Sequence, residues 1–109
     1  MYLYLLKCTT YIGTCYKIGK ATNVQRRIKQ LQTGNPLEIQ LVCYRRFTNV
    51  FEVESFLHYL FSSKRVRGEW FTLNPMQVIW IKGRIFKRKS FKYRLYFWLS
   101  NEVYLGRGL

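Results

Sequence analysis

Two hydrophobic periods alternate along this chain. Tyr2 to Leu6 is an unbroken aromatic and aliphatic run, the pattern of a strand buried on both faces, and it predicts a central place in a sheet. Thr9, Thr10, Gly13 and Thr14 punctuate the next stretch, and Cys15 to Gly19 predicts a second short strand joined to the first by a hairpin with a longish turn. Thr22 with Gln25 three residues on is a capping-box pattern, so a first helix is expected to start at Thr22. Val24, Ile28 and Leu31 form its buried stripe, Arg26, Arg27, Lys29 and Gln30 lie outside that stripe, and Gly34 is expected to stop it.

Glu38 to Phe47 alternates as a third strand, with Ile39, Leu41 and Cys43 expected on one face. Asn49, with Glu52 at the third position, predicts the cap of a second helix whose broad apolar face is Val53, Phe56, Leu57, Leu60 and Phe61. Glu54 and His58 fall one turn apart on that helix. Asn74 and Pro75 predict a short third helix through Met76, Val78 and Ile79, ending at Gly83. From Arg84 the chain becomes basic and aromatic without a clean period; the alternation of Phe91, Tyr93, Leu95 and Phe97 favours an amphipathic strand over a basic helix.

With 109 residues and 49% apolar content, the chain has room for one hydrophobic core. Charge changes the picture more. Nineteen Lys and Arg stand against five Glu and no Asp, a formal net charge of +14. Such an imbalance suits a polyanionic partner, nucleic acid before anionic lipid or a ribosomal setting. Aromatic residues are 18% of the chain; most must be core, and those interleaved with basic residues are able to stack on bases.

Cys8, Cys15 and Cys43 make no CxxC pair and His58 is the only histidine, so a structural zinc site is disfavoured and reduced thiols are expected. No stretch is long enough for a membrane helix, and the apolar run at the N-terminus is too short for a signal peptide. The expectation is an intracellular protein of the cytoplasm, or of the nucleus of a host cell.

Taken in order, Tyr2-Leu3-Tyr4, Tyr16-Lys17-Ile18-Gly19-Lys20, Arg27, Gly34-Asn35-Pro36, Glu54 with His58, and Gly68-Glu69-Trp70-Phe71 resemble the GIY-YIG nuclease superfamily. They look most like its compact branch of bacteriophage DNA-binding domains and meiotically up-regulated gene products. The resemblance covers roughly the first eighty residues and rests on several separated motifs. It implies an α+β fold: a small, mainly antiparallel three-stranded sheet flanked by helices over residues 1–83, with the active site on one sheet face. Residues 84–109 would be a basic aromatic C-terminal extension.

The resemblance further implies a site of Tyr4, Lys17, Arg27 and Glu54 around one Mg²⁺ or Mn²⁺ held by Glu54, with His58 beside it, acting on double-stranded DNA. The chemistry is coherent for phosphodiester hydrolysis. A carboxylate holds a hard cation, a guanidinium forks onto phosphate oxygens, and a phenol orients water or the leaving group. Lys20, Arg26, Lys29, Lys82, Arg84, Lys87, Arg88 and Lys89 are the cations expected to meet phosphate. Two departures stand out: Tyr2 replaces the first glycine of the family motif, and Lys17 replaces its second tyrosine, the proton acceptor. Tyr11-Ile12-Gly13 spells that second motif literally, yet Gly19 lies eight residues before Arg27 and Gly13 fourteen, so the motif is assigned to Lys17-Ile18-Gly19. Three functions are expected, in order of preference: a metal-dependent endonuclease of viral or mobile-element character, a non-catalytic DNA-binding module on the same scaffold, and a basic structural protein of a ribonucleoprotein.

Overall fold

The computed structural model describes residues 1–11 and 13–87. The part of the C-terminal extension from Arg88 onward, with Arg88, Lys89 and the alternation around Tyr93, lies outside the described residues. The protein is α+β. Strands β1 (Tyr2–Thr10), β2 (Gly13–Ala21), β3 (Ile39–Arg46), β4 (Arg65–Arg67) and β5 (Trp70–Phe71) form one sheet in the order β3-β1-β2-β5-β4, with every pairing antiparallel. Helices α1 (Val24–Gln32), α2 (Val50–Leu60) and α3 (Pro75–Ile81) complete it. The three expected strands lie side by side in it, with β3 at one edge. Two further strands of three and two residues extend it; runs that short carry no readable alternation.

Leu3, Leu5 and Leu6 on β1 are fully buried, each such side chain contributing roughly 1.5–3 kcal/mol relative to exposure. Thr10 pairs with Gly13, so the turn is two residues and not the longish one expected. The threonines belong to the strands: Thr10 Oγ1 donates to the Gly13 carbonyl at 2.9 Å and Thr9 meets Thr14 across the ladder at 3.4 Å. Gly13 sits at φ 140°, a conformation that only glycine adopts without strain.

Helix α1 begins one residue later than the capping box implies. Asn23 is its cap, accepting from the Arg26 amide at 3.0 Å, since an Asn side chain caps at least as well as Thr. The stripe of Val24, Ile28 and Leu31 packs with Tyr4, Leu6, Ala21 and Ile39, and Gly34 at φ 81° follows the cap residue Thr33. Asn49 does begin α2 but makes no side-chain cap bond; its carbonyl instead accepts from the amides of Glu52 and Val53.

On β3 the expected single face is broken. Leu41 pairs with Leu6 while Cys43 pairs with Leu5, so the extra residue Val42 is a bulge, and Cys43 faces opposite to Ile39 and Leu41. Nor does Gly83 end the third helix: a π-helical turn over Lys82–Phe86 continues from it, closed by the Lys87 amide on the Lys82 carbonyl at 2.9 Å. Val78, Ile81 and Ile85 are buried there, while Met76 and Ile79 are exposed. One structural unit runs from Met1 to Pro75 and a second starts at Met76. Among the described residues no helix is long and apolar enough to cross a membrane.

Candidate functional site at the edge of strand β2

Strand alternation divides the expected site residues between two faces. Tyr4 pairs with Gly19 and Leu6 with Lys17, so Tyr4, Gly19 and Lys17 share the face covered by α1. Leu3 pairs with Lys20 and Leu5 with Ile18, which turns Lys20 to the opposite face, where α2 lies: its Nζ donates to Glu54 Oε1 at 2.7 Å. The expectation of a site on one sheet face is therefore corrected. The groups lie on the two faces of β2, around the stretch that runs past the end of its pairing with β5.

Gly19 makes this possible. A Cβ there would stand 2.5 Å from the Tyr4 hydroxyl oxygen and 2.6 Å from Cζ, so the phenol lies directly across the glycine and reaches over β2. Both main-chain groups of Ile18 point outward from that strand: its amide donates to the Glu69 carbonyl at 3.3 Å, and its carbonyl accepts from His58 Nε2 at 2.8 Å. Thus α2 grips the edge of β2 through His58, whose ring also lies 5.2 Å from that of Phe71.

Three charged groups act on the phenol. Burial pushes the Tyr4 phenol above its ordinary value of 10.0; a hydrogen bond from the Arg27 side chain and the Arg27 charge oppose that, and the negative charges of Glu69 and Glu54 add to it. Glu54 thus acts on Tyr4 electrostatically from α2, and Arg27 acts on it from α1. At neutral pH Tyr4 is a neutral donor.

The buried Lys17 makes an ion pair with Glu69 at 3.2 Å and lies 5.5 Å from the centroid of the Trp70 ring. Glu69 is delivered by the two-residue turn between β4 and β5, where Gly68 adopts φ 57°. Gly68-Glu69-Trp70-Phe71 therefore places a carboxylate against the site. Tyr16 faces the other side with Phe71 and cannot replace Lys17. Tyr11 is fully exposed in the β1–β2 turn and Gly13 pairs with Thr10 at the far end of the hairpin, so neither takes part in the cluster, and Ile12 lies outside the described residues.

Glu54 and His58, one turn apart, have different partners: Glu54 binds Lys20 and His58 binds the main chain. Lys20, expected on DNA, is committed to Glu54 and lies 4.7 Å from the centroid of the Phe51 ring. Neither ion pair was legible locally, because Lys20 and Glu54 are 34 residues apart and Lys17 and Glu69 further still. Arg26 and Lys29 are exposed on α1, and Lys82, Arg84 and Lys87 lie in the second unit.

One buried oxygen bears on a cation. Glu54 Oε2 is buried without a hydrogen-bond partner, a state that costs free energy unless something else satisfies the oxygen. Among the described residues no group of three or more His, Cys, Asp or Glu could hold a metal. Glu54 Oε2 is thus a single unsatisfied protein oxygen; a hard cation there would have to take its remaining ligands from water and phosphate oxygens.

A family model described as the T5orf172 domain matches residues 1–86. No curated protein and no solved structure matches the chain.

Proposed function

This chain belongs to the T5orf172 domain family, and from that premise we propose that it binds DNA through its phosphates and hydrolyses a phosphodiester bond at the β2 edge in the manner of a GIY-YIG nuclease. The observation that carries the reading is the Tyr4 phenol lying over Gly19, with the Arg27 guanidinium and the charge of Glu54 both acting on it. That is a donor, a guanidinium and a carboxylate on a strongly basic chain.

Each residue then has a role. Arg27 binds non-bridging oxygens and is poised to meet the charge that builds on them in the transition state. Tyr4, kept protonated by burial, donates a hydrogen bond and orients the phosphate or attacking water. Lys17 holds a phosphate oxygen from the floor of the site, with Glu69 fixing its position. Glu54 Oε2 would hold the Mg²⁺ or Mn²⁺ ion, which supplies Lewis-acid polarisation of the phosphate and a more acidic water. His58 anchors α2 to β2 through the Ile18 carbonyl and so keeps Glu54 in register.

A second reading has its own support. Lys17 and Lys20 each occupy a carboxylate of the cluster, which suits a DNA-binding module that grips phosphate without cutting. Supercoiled plasmid incubated with Mg²⁺ or Mn²⁺ separates the two. The nuclease reading expects nicking that disappears in Glu54→Ala and falls about 10²–10³-fold in Arg27→Ala. Nicking unchanged in Glu54→Ala would trace to a contaminant and sink the nuclease reading; intact gel-shift affinity without nicking by wild type would establish the module.

A further inference from the structure

On the other side of Tyr4 from Gly19 lies a second feature that the reaction does not use. Tyr44 on β3 is the cross-strand partner of Tyr4, and Arg46 is the partner of Tyr2. The α1-covered face therefore reads Tyr44, Tyr4, Gly19 in one row and Arg46, Tyr2, Ala21 in the next. The rings of Tyr2 and Tyr44 meet edge to face, centroids 5.6 Å apart at 61°. With Leu41 and Val24 they wall a hollow of about 250 Å³ at the start of α1, and Thr22 and Gln25 form part of its rim.

Tyr44 is 53% exposed and Leu41 38%, while Tyr4 in the same row is 1% exposed. An exposed tyrosine and leucine floor, flanked by the amide of Gln25 and the hydroxyl of Thr22, has apolar flat area for stacking and a polar rim for hydrogen bonds. That is how an unstacked base is held.

Charge selects the occupant. None of the residues lining the hollow is acidic, Arg46 is exposed beside Tyr2, and Arg26 is exposed in the first turn of α1. Tyr44 and Tyr4 are cross-strand partners on one face, so a base in the hollow would lie close along the strand to a phosphate at Tyr4 and Arg27.

We propose that the Tyr2–Tyr44 hollow is a pocket for an unpaired nucleobase, so that the DNA this protein prefers carries a single-stranded nucleotide close to the phosphate held at the β2 edge. The proposal rests on the DNA-binding reading above and deepens it by naming the substrate class. A fully paired duplex keeps its bases stacked inside the helix and leaves the hollow empty; a gap offers a base at little unstacking cost.

The test is fluorescence anisotropy in EDTA, where no metal-dependent cleavage intervenes, with a duplex and a centrally gapped duplex of the same length and sequence. Wild type is expected to bind the gapped DNA about 10-fold more tightly, the size of one stacked base. Tyr44→Ala is expected to abolish that preference while leaving duplex affinity unchanged, and Tyr44→Phe to keep it. A 2-aminopurine in the gap should be quenched by wild type and by Tyr44→Phe but not by Tyr44→Ala. Equal wild-type affinity for the two DNAs overturns the pocket and leaves the DNA-binding reading standing; so does an equal loss on both DNAs in Tyr44→Ala. Binding to neither DNA overturns both readings.

Discussion

Gly19 is the residue on which the arrangement turns. Its missing Cβ lets the Tyr4 ring cross β2, and Gly19→Ala would force a methyl to within 2.5 Å of the hydroxyl oxygen. Because the obstruction is a buried ring on a packed strand, the loss of stability should be about 1–3 kcal/mol by urea unfolding. The same substitution in a Tyr4→Leu background should cost clearly less; an equal cost in both would mean that the ring is not what the methyl meets. Tyr4 also has a pH signature. Burial raises its folded value above the ordinary 10.0, so the unfolded chain loses this proton first. Its contribution to stability is complete below pH 10.0 and is lost as pH rises from there through the higher folded value. The urea midpoint should therefore fall more steeply above that pH in wild type than in Tyr4→Phe, and parallel profiles would refute the burial effect.

At the scale of elements, two helix starts look alike on paper and differ in fact. Asn23 spends its side chain on the Arg26 amide and Asn49 makes no cap bond. Asn23→Ala should accordingly lower stability by about 1 kcal/mol, whereas Thr22→Ala and Asn49→Ala should stay within about 0.5 kcal/mol. Comparable losses at all three positions would contradict the assignment. The start of α1 matters beyond stability, because it sets the register in which Val24 faces the sheet and Arg27, one turn on, reaches Tyr4. The β4–β5 turn has a similar use: Gly68 in the left-handed region lets a two-residue link carry Glu69 to Lys17.

For the whole molecule the dominant quantity is a net charge of +14. Binding driven by phosphate contacts should weaken linearly in log affinity against log salt. Arg26→Ala and Lys29→Ala, both removing exposed α1 cations, should each reduce that slope by about 1. Lys20→Ala should change it less, because its ammonium is already held by Glu54 at 2.7 Å. An unaltered slope for Arg26→Ala and Lys29→Ala would show that α1 does not face the phosphates.

What the amino-acid order determined by itself was whatever is local: the charge, the buried first strand, the helical stripe of Val24, Ile28 and Leu31, and the succession of short motifs from Tyr4 to Glu69. Periodicity is a property of neighbouring residues, so it can be read without knowing what packs against what. The tertiary structure alone decided that Tyr4 pairs with Gly19, that a bulge at Val42 turns Cys43 away from Leu41, and that α1 and α2 work from opposite faces around one strand edge. It alone gave Lys17 and Lys20 their carboxylate partners. Those facts depend on register between segments far apart in the chain, where a shift of one residue exchanges the two faces of a strand, and no local pattern encodes that choice.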